Sequence, residues 1–307
     1  MADVAIPLFS PRGRVLPVGV IVAGILVLWY LLAVALNWNQ VAGMHSADPA
    51  PLSVSDSVAA TWAMERPILP APHQVIAEFW KTTFAVSPSS KRSLVYHAWI
   101  TASATMLGFA FGVILGMALA AGIVHVRTLD RSLMPWVIAS QTVPILAIAP
   151  MVIVILANID ITILDHHITI PPLVAKAVIS MYLCFFPVTI GMVKGLRSPD
   201  PLQLDLMRTY SASTAAVFWK LRLPASIPFL FASMKVAIAI SLVGTIVGEL
   251  PTGANGGIGA RLLTGSYYGQ TVQIWSALLM AAILGSVLVY AMGGIERLTL
   301  RQMGARA

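Results

Sequence analysis

Charge is what this sequence has least of. Asp, Glu, Lys and Arg make up 10% of its 307 residues, while 58% are hydrophobic. Soluble domains average roughly 25% charged and 45–50% apolar. A soluble core does not require such a deficit, so the composition points to an integral membrane protein. Cysteine is nearly missing too. Cys184 stands alone, which excludes an intramolecular disulfide and any multi-cysteine metal site. It sits in an apolar run and is expected to be packed there. Catalytic and nucleotide motifs are absent: no G-x-x-x-x-G-K-[ST] loop to cradle phosphate, no H-E-x-x-H, no G-x-S-x-G. "GANGGIG" is rich in glycine but lacks the lysine, and the adjacent His166 and His167 do not share a helix face as ligands at i, i+4 would. No catalytic residue and no metal site is expected. The formal charge of +7 is spread over short segments, so nucleic acid is not an expected partner.

Long apolar runs are present instead. A spanning helix needs about 20 apolar residues to cross about 30 Å of hydrocarbon. Six candidates lie at about 15–36, 96–123, 134–157, 173–195, 227–250 and 273–295. The predicted fold class is all-α, a polytopic membrane protein in contact with the lipid bilayer. Most lysines and arginines fall on one side of these spans. Arg12 and Arg14 precede the first; Arg127 and Arg131 follow the second. Lys194, Arg197, Arg208, Lys220 and Arg222 lie between the fourth and fifth, and Arg297, Arg301 and Arg306 follow the sixth. The positive-inside rule then puts both termini in the cytoplasm. The first run is longer than a signal peptide's apolar region, so a retained helix is expected despite "AVA" at 33–35.

Between the first two spans, "RPILPAPHQVIAEFWKTTF" predicts a short helix from about Pro72, with Val75, Ile76, Phe79 and Trp80 on one face. That face suits either the membrane surface or the protein's own outer side. No internal repeat is visible. Ala104, Gly108, Gly112, Gly116 and Ala120 recur every four residues, a smooth stripe that lets another helix approach closely, in this chain or a second copy. Pro144, Pro150 and Pro187 predict kinks. Gln141 and Thr142 beside Pro144 either line a path or bond between helices. Glu249, at the end of the fifth span, is a candidate path residue because buried ionisable groups are costly; reaching water or pairing with Arg261 are the alternatives. Lys235 can snorkel to the interface.

The loop "SPDPLQLDLMRTYSASTAAVFWKLRLPASIP" interrupts the apolar pattern. Asp200 can cap a helix and Pro201 fits its first position. Leu202, Leu206 and Tyr210 repeat at i, i+4, i+8. "SAS" offers a turn and a second cap before a helix at about 214–222. Two short helices are expected, with an apolar stripe that packs on the membrane domain or docks in a partner's groove.

This segment resembles the cytoplasmic loop of permease subunits of bacterial ABC importers. That loop begins Glu-Ala-Ala, has a glycine after three intervening residues, and ends in Leu-Pro. Aligned on Leu223-Pro224, the Glu falls on Asp205, the alanines on Leu206 and Met207, and the glycine on Ser211; Arg208 and Ala212 also resemble common family residues. "ILPAPHQVIAEFW", "SMKVAIAISLVGTIVGEL" and "GGIGARL" resemble the nitrate/sulfonate/taurine branch in the same order. The likeness covers about 67–297, preceded by a segment 1–66 with the first span and outer loop, and followed by a cytoplasmic tail 298–307.

The resemblance implies a multi-pass protein of the bacterial inner membrane. It implies a second permease subunit, two cytoplasmic ATPase subunits and an outer substrate-binding protein as partners. ATP and magnesium would be held by the ATPase, with no cofactor on this chain. The first loop helix, about 201–211, would be the coupling helix, and the solute a small polar or anionic compound: nitrate, a sulfonate, taurine, or a pyrimidine- or vitamin-like molecule. The rival expectation is a secondary transporter or channel driven by an ion gradient, which gives no reason for the two-helix loop.

Overall fold

The computed structural model describes residues 11–45, 53–163, 166–169, 171–251 and 256–304. Arg306 and part of the glycine-rich run lie outside them. Twelve α-helices and one hairpin are described. In order they are α1 (Pro11–Met44), α2 (Val54–Ala63), α3 (Pro72–Phe84), α4 (Leu94–His125), α5 (Arg127–Ala139) and α6 (Ile145–Ala157). Then come β1 (Asp160–Ile163), β2 (His166–Thr169), α7 (Pro172–Leu196), α8 (Pro201–Thr209) and α9 (Thr214–Val217). The last are α10 (Leu223–Glu249), α11 (Ile258–Tyr267) and α12 (Thr271–Gln302). The hairpin, antiparallel with Ile161 opposite Ile168, was not foreseen in the sequence. The described chain divides into two compact units, one within Met1–Val86 and Thr264–Ala277, the other within Ser87–Leu263 and Leu278–Ala307.

Among the described residues, five helices are long and apolar enough to span: Leu16–Met44, Leu94–His125, Pro172–Leu196, Thr214–Glu249 and Thr271–Gln302. The third expected span is a correction. It is not one kinked helix but two, Arg127–Thr142 and Ile145–Leu156, bent by 100°. Val143 is extended (φ −72°, ψ 122°), the conformation that a following proline imposes, and Pro144 has no N–H to continue the helix. Pro150 stays inside α6 and Pro187 inside α7.

Packing in the second unit decides whether that bent pair crosses. A Cβ placed on Gly112 would lie 2.6 Å from Cys184 Cβ, and one on Gly116 would lie 2.9 Å from Val188 Cβ. Gly108 faces Ser180 in the same register. Contacts that advance by four residues on both helices mean that α4 and α7 run parallel. The chain must therefore return the length of the bundle between them, and only the bent pair and the hairpin are available to carry it. Counted with the five long helices, the bent pair makes a sixth candidate span among the described residues. The close partner of the small-residue stripe is α7 of the same chain. Cys184 is buried in this seam, as its apolar run suggested.

Helix α10 runs the other way. Gly195 meets Ser226 and Gly191 meets Ser233 near one end, while Ser180 bonds Ser241 and Thr105 donates to Thr245 (3.0 Å) further along. Helix α12 is antiparallel to α10: Lys235 Nζ donates to Glu296 at 2.7 Å, and Gly285 lies against Leu242. The α8 loop and the C-terminal end of α12 therefore share one end of the bundle, and the glycine-rich loop marks the opposite end.

Candidate functional site

The loop between α7 and α10 is built from local signals. Asp200 accepts from the Leu202 N–H at 2.8 Å, so α8 starts where cap and proline predict. It ends in a Schellman motif, with Ala212 N–H on Met207 O (3.0 Å) and Ser211 N–H on Arg208 O (2.8 Å). That motif needs a left-handed residue, and Ser211 has φ +52°. The resemblance places a glycine at this position, and the backbone shows why: a side chain in this region costs roughly 1–2 kcal/mol. Ser213 then caps α9 through the Ala216 N–H at 3.2 Å.

The helix expected at 214–222 does not stop before Pro224. It runs on to Glu249, through a wide π-turn at Phe218–Arg222 in which Leu223 N–H bonds Phe218 O. The wide turn absorbs the donor that Pro224 lacks. The fifth span is thus a direct extension of the loop, and Leu223 and Pro224 lie inside one helix.

No residue of α8 is buried. Leu204 and Met207 are half-covered on the side facing the bundle. Leu202, Leu206 and Tyr210 are 78%, 55% and 77% exposed on the other. The stripe does not pack on its own membrane domain. Asp205 pairs with Arg208 at 2.8 Å. Behind α8 a cleft of about 310 Å³ is lined by His125, Leu204, Arg208, Ala212, Val217 and Arg222 among others. Arg197 pairs with Asp130 at 2.9 Å, tying the end of α7 to α5.

The opposite end is built differently. Glu249 is fully enclosed and forms an ion pair of 3.7 Å with Lys176, itself buried. Thr101 Oγ1 donates to the carboxylate (2.9 Å), and so does the Gly259 N–H (2.9 Å). Lys176 donates to Gly256 O at 2.7 Å. His97 Nδ1 accepts from the Gly257 N–H at 3.0 Å, and its Nε2 lies 2.9 Å from Lys91 O. One nitrogen accepting and the other donating is a neutral imidazole. Gly257 has φ +116°, and a Cβ there would overlap the Glu249 carboxylate, so only glycine fits. Three helices and a loop are clasped by one buried network. The carboxylate of Glu249 is thus taken up by Thr101, Lys176 and the Gly259 N–H inside the packed second unit.

Gln141 and Thr142 lie at the break, in a 3₁₀ turn at Ser140–Thr142. Tyr182 OH donates to Ser140 O at 2.8 Å and holds that turn against α7. Both side chains are exposed in the single chain, and Gln141 borders a cleft of about 120 Å³ with Tyr182, Leu183, Phe186 and Ile240. The structure does not bring them to Glu249. Tyr182 and Lys176 are six residues apart on α7, about 9 Å along the axis.

Sequence reasoning missed His97, Thr101 and Lys176. A signal existed: 97, 101 and 105 continue the Gly108–Gly112–Gly116 stripe at helical spacing, so the face that meets α7 begins with polar groups. Among the described residues no cluster of His, Cys, Asp or Glu is arranged for a metal.

Comparison with known proteins matches residues 108–303 to the family described as "Binding-protein-dependent transport system inner membrane component". The chain is 27% identical over 192 residues to the formylaminopyrimidine transport permease protein ThiX of Halalkalibacterium halodurans, covering 62% of this chain and 68% of that one. It is 27% identical over 234 residues to the riboflavin transport system permease protein RibX of Chloroflexus aurantiacus, covering 76% and 80%.

Proposed function

The chain belongs to the family of binding-protein-dependent transport system inner membrane components, and on that premise we propose that α8 is where ATP hydrolysis on a partner drives it. The observation that carries this reading is the exposed Leu202–Leu206–Tyr210 stripe on a helix fixed at both ends. Helices with an apolar row at this spacing seat in grooves of other proteins. The π-turn supports the coupling, because it makes the second half of the loop, α9, continuous with the fifth span. A push on α8 then has one turn to pass, at Ser211–Ser213, before it reaches a helix that runs unbroken into the membrane.

In this reading two copies of the chain enclose the solute path, two ATPase subunits hold ATP and magnesium, and an outer binding protein delivers solute. The α8 end, with Arg197, Arg208, Lys220, Arg222, Arg297 and Arg301, faces the cytoplasm, as do both termini. Gln141 and Thr142 at the break are the path residues. The solute is a small polar or anionic compound; relatives named for a formylaminopyrimidine and for riboflavin favour the pyrimidine- and vitamin-like part of that range.

Reconstitution with the ATPase and binding protein tests the proposal. Leu206→Asp or Tyr210→Asp should leave the membrane fold intact and abolish ATP-driven uptake. Uptake at the parent rate in both variants, or uptake that follows an ion gradient without ATP, overturns it.

A further inference from the structure

Within the first unit, the irregular chain before α3 has many of its backbone groups satisfied by side chains. Asn37, fully buried, accepts from the Ile68 and Leu69 N–H groups (2.7 and 3.3 Å) and donates to Leu69 O (2.8 Å). Trp29 donates to Pro70 O at 3.0 Å, and Thr271 to Pro67 O at 2.5 Å. Gln74 accepts from the Ala71 N–H and donates to Met64 O. Water would serve a surface loop without such provision. Irregular backbone at membrane depth cannot use water and must be satisfied by protein.

Two rulers give the depth. The apolar run of α1 starts after Arg14, so about 20 residues, or about 30 Å, bring the far hydrocarbon boundary near Leu36. Trp29 and Tyr30 lie six or seven residues short of it, about 10 Å inside. Tyr30 stacks on His73 in the first turn of α3, with ring centroids 5.9 Å apart. The second ruler is α12, which starts at Thr271; its Trp275 ring lies 4.9 Å from Trp29. Four residues inside that helix is about 6 Å. Both rulers place the start of α3 in the zone where amphipathic helices lie, about 5–10 Å into the headgroup–acyl boundary.

Helix α3 turns an apolar face outward at this depth. Val75 and Thr82 are buried, whereas Ile76, Trp80 and Phe84 are 60%, 64% and 63% exposed in a row, the Trp80 and Phe84 rings 4.5 Å apart. This differs from the face expected from sequence: Val75 belongs to the opposite side, and Phe84 joins the stripe. Lys81 flanks the row, with a stem long enough to carry its charge to the headgroups.

We propose that α3 and the 67–71 segment are immersed in the outer leaflet, with Ile76, Trp80 and Phe84 in contact with lipid. The name "outer" rests on the orientation proposed above; the immersion does not. The test uses the full chain with its copurifying subunits, in nanodiscs of phosphatidylethanolamine and phosphatidylglycerol. Single cysteines at 76, 80, 84 and, as an aqueous reference, Ser89 are spin-labelled in a Cys184→Ala background. Lipid contact gives an oxygen-to-nickel-chelate collision ratio several-fold higher at 76, 80 and 84 than at Ser89. Equal ratios put the face in water and overturn the proposal. Shielding from both reagents puts a protein there, a second copy or a binding protein, and overturns it as well. If Trp80→Cys does not fold, Ile76→Cys and Phe84→Cys decide.

Discussion

At one end of the α4–α7–α10 bundle, Lys176, Glu249, Thr101 and His97 are enclosed and every polar group named there has a partner. At the other end, α8 carries leucine and tyrosine side chains with nothing over them. A membrane protein would be expected to do the reverse, hiding apolar groups at its wet ends and avoiding charge within. The inversion separates two tasks. Buried polar groups are expensive to uncover, so a network of them fixes geometry. Exposed apolar groups gain only when covered, so they mark where another molecule arrives. The clasped end holds three helices and the glycine loop as a unit; the open end receives.

The largest effect that would break this contrast comes from the clasp. Glu249→Ala leaves Lys176 buried without its counter-charge, which costs about 3–5 kcal/mol. Thermal unfolding of the detergent-purified protein should show a large downward shift. The double variant Lys176→Met, Glu249→Leu should recover much of it, since replacing a buried pair by apolar residues is often neutral. A double variant as unstable as the single one would mean that the pair does more than satisfy itself.

Next is the seam that joins the two ends. Gly112→Ala puts a methyl group 2.6 Å from Cys184 Cβ, and overpacking of this kind costs about 1–3 kcal/mol. A neutral result would show that α4 and α7 can separate without penalty, and the rigid bundle between the ends would be lost as an idea.

How much of this was legible beforehand depends on whether the signal was local. The caps at Asp200 and Ser213, the spacing of Leu202, Leu206 and Tyr210, and the glycine stripe are each decided within a turn or two of chain, and the structure has them where the sequence put them. The break at Pro144 was read as a kink because proline alone does not say whether a neighbouring helix will hold the bend; the Tyr182 hydroxyl on Ser140 O does that, from far along the chain. Pro224 was read as a stop because the compensating π-turn is a matter of backbone geometry. The surroundings of Glu249 were illegible for a similar reason. Its partner Lys176 lies on another span, and which lysine faces which carboxylate is fixed only when α7 and α10 pack.

A smaller effect sharpens the open end. Ser211→Gly relieves a left-handed serine at the α8 cap and should stabilise that turn by about 1 kcal/mol. Hydrogen exchange at the Ser211 and Ala212 amides should slow by several-fold, with no change at Gly257 or Gly259. Equal exchange before and after would mean that the cap is not the weak point of the loop.

The smallest effect on stability is expected where the effect on function is greatest. Leu206→Asp removes a side chain that is already more than half in water, so the isolated chain should change by no more than about 0.5 kcal/mol, the range for surface substitutions. Only a complex with something seated on α8 would register the charge, because only there does the carboxylate have to leave water. The same variant measured alone and with the ATPase therefore separates two meanings of an exposed leucine. A melting temperature that is unchanged alone and lower in the complex assigns the stripe to the partner. A drop already present in the isolated chain would return Leu206 to the fold, and α8 would then resemble the clasped end more than its exposure suggests.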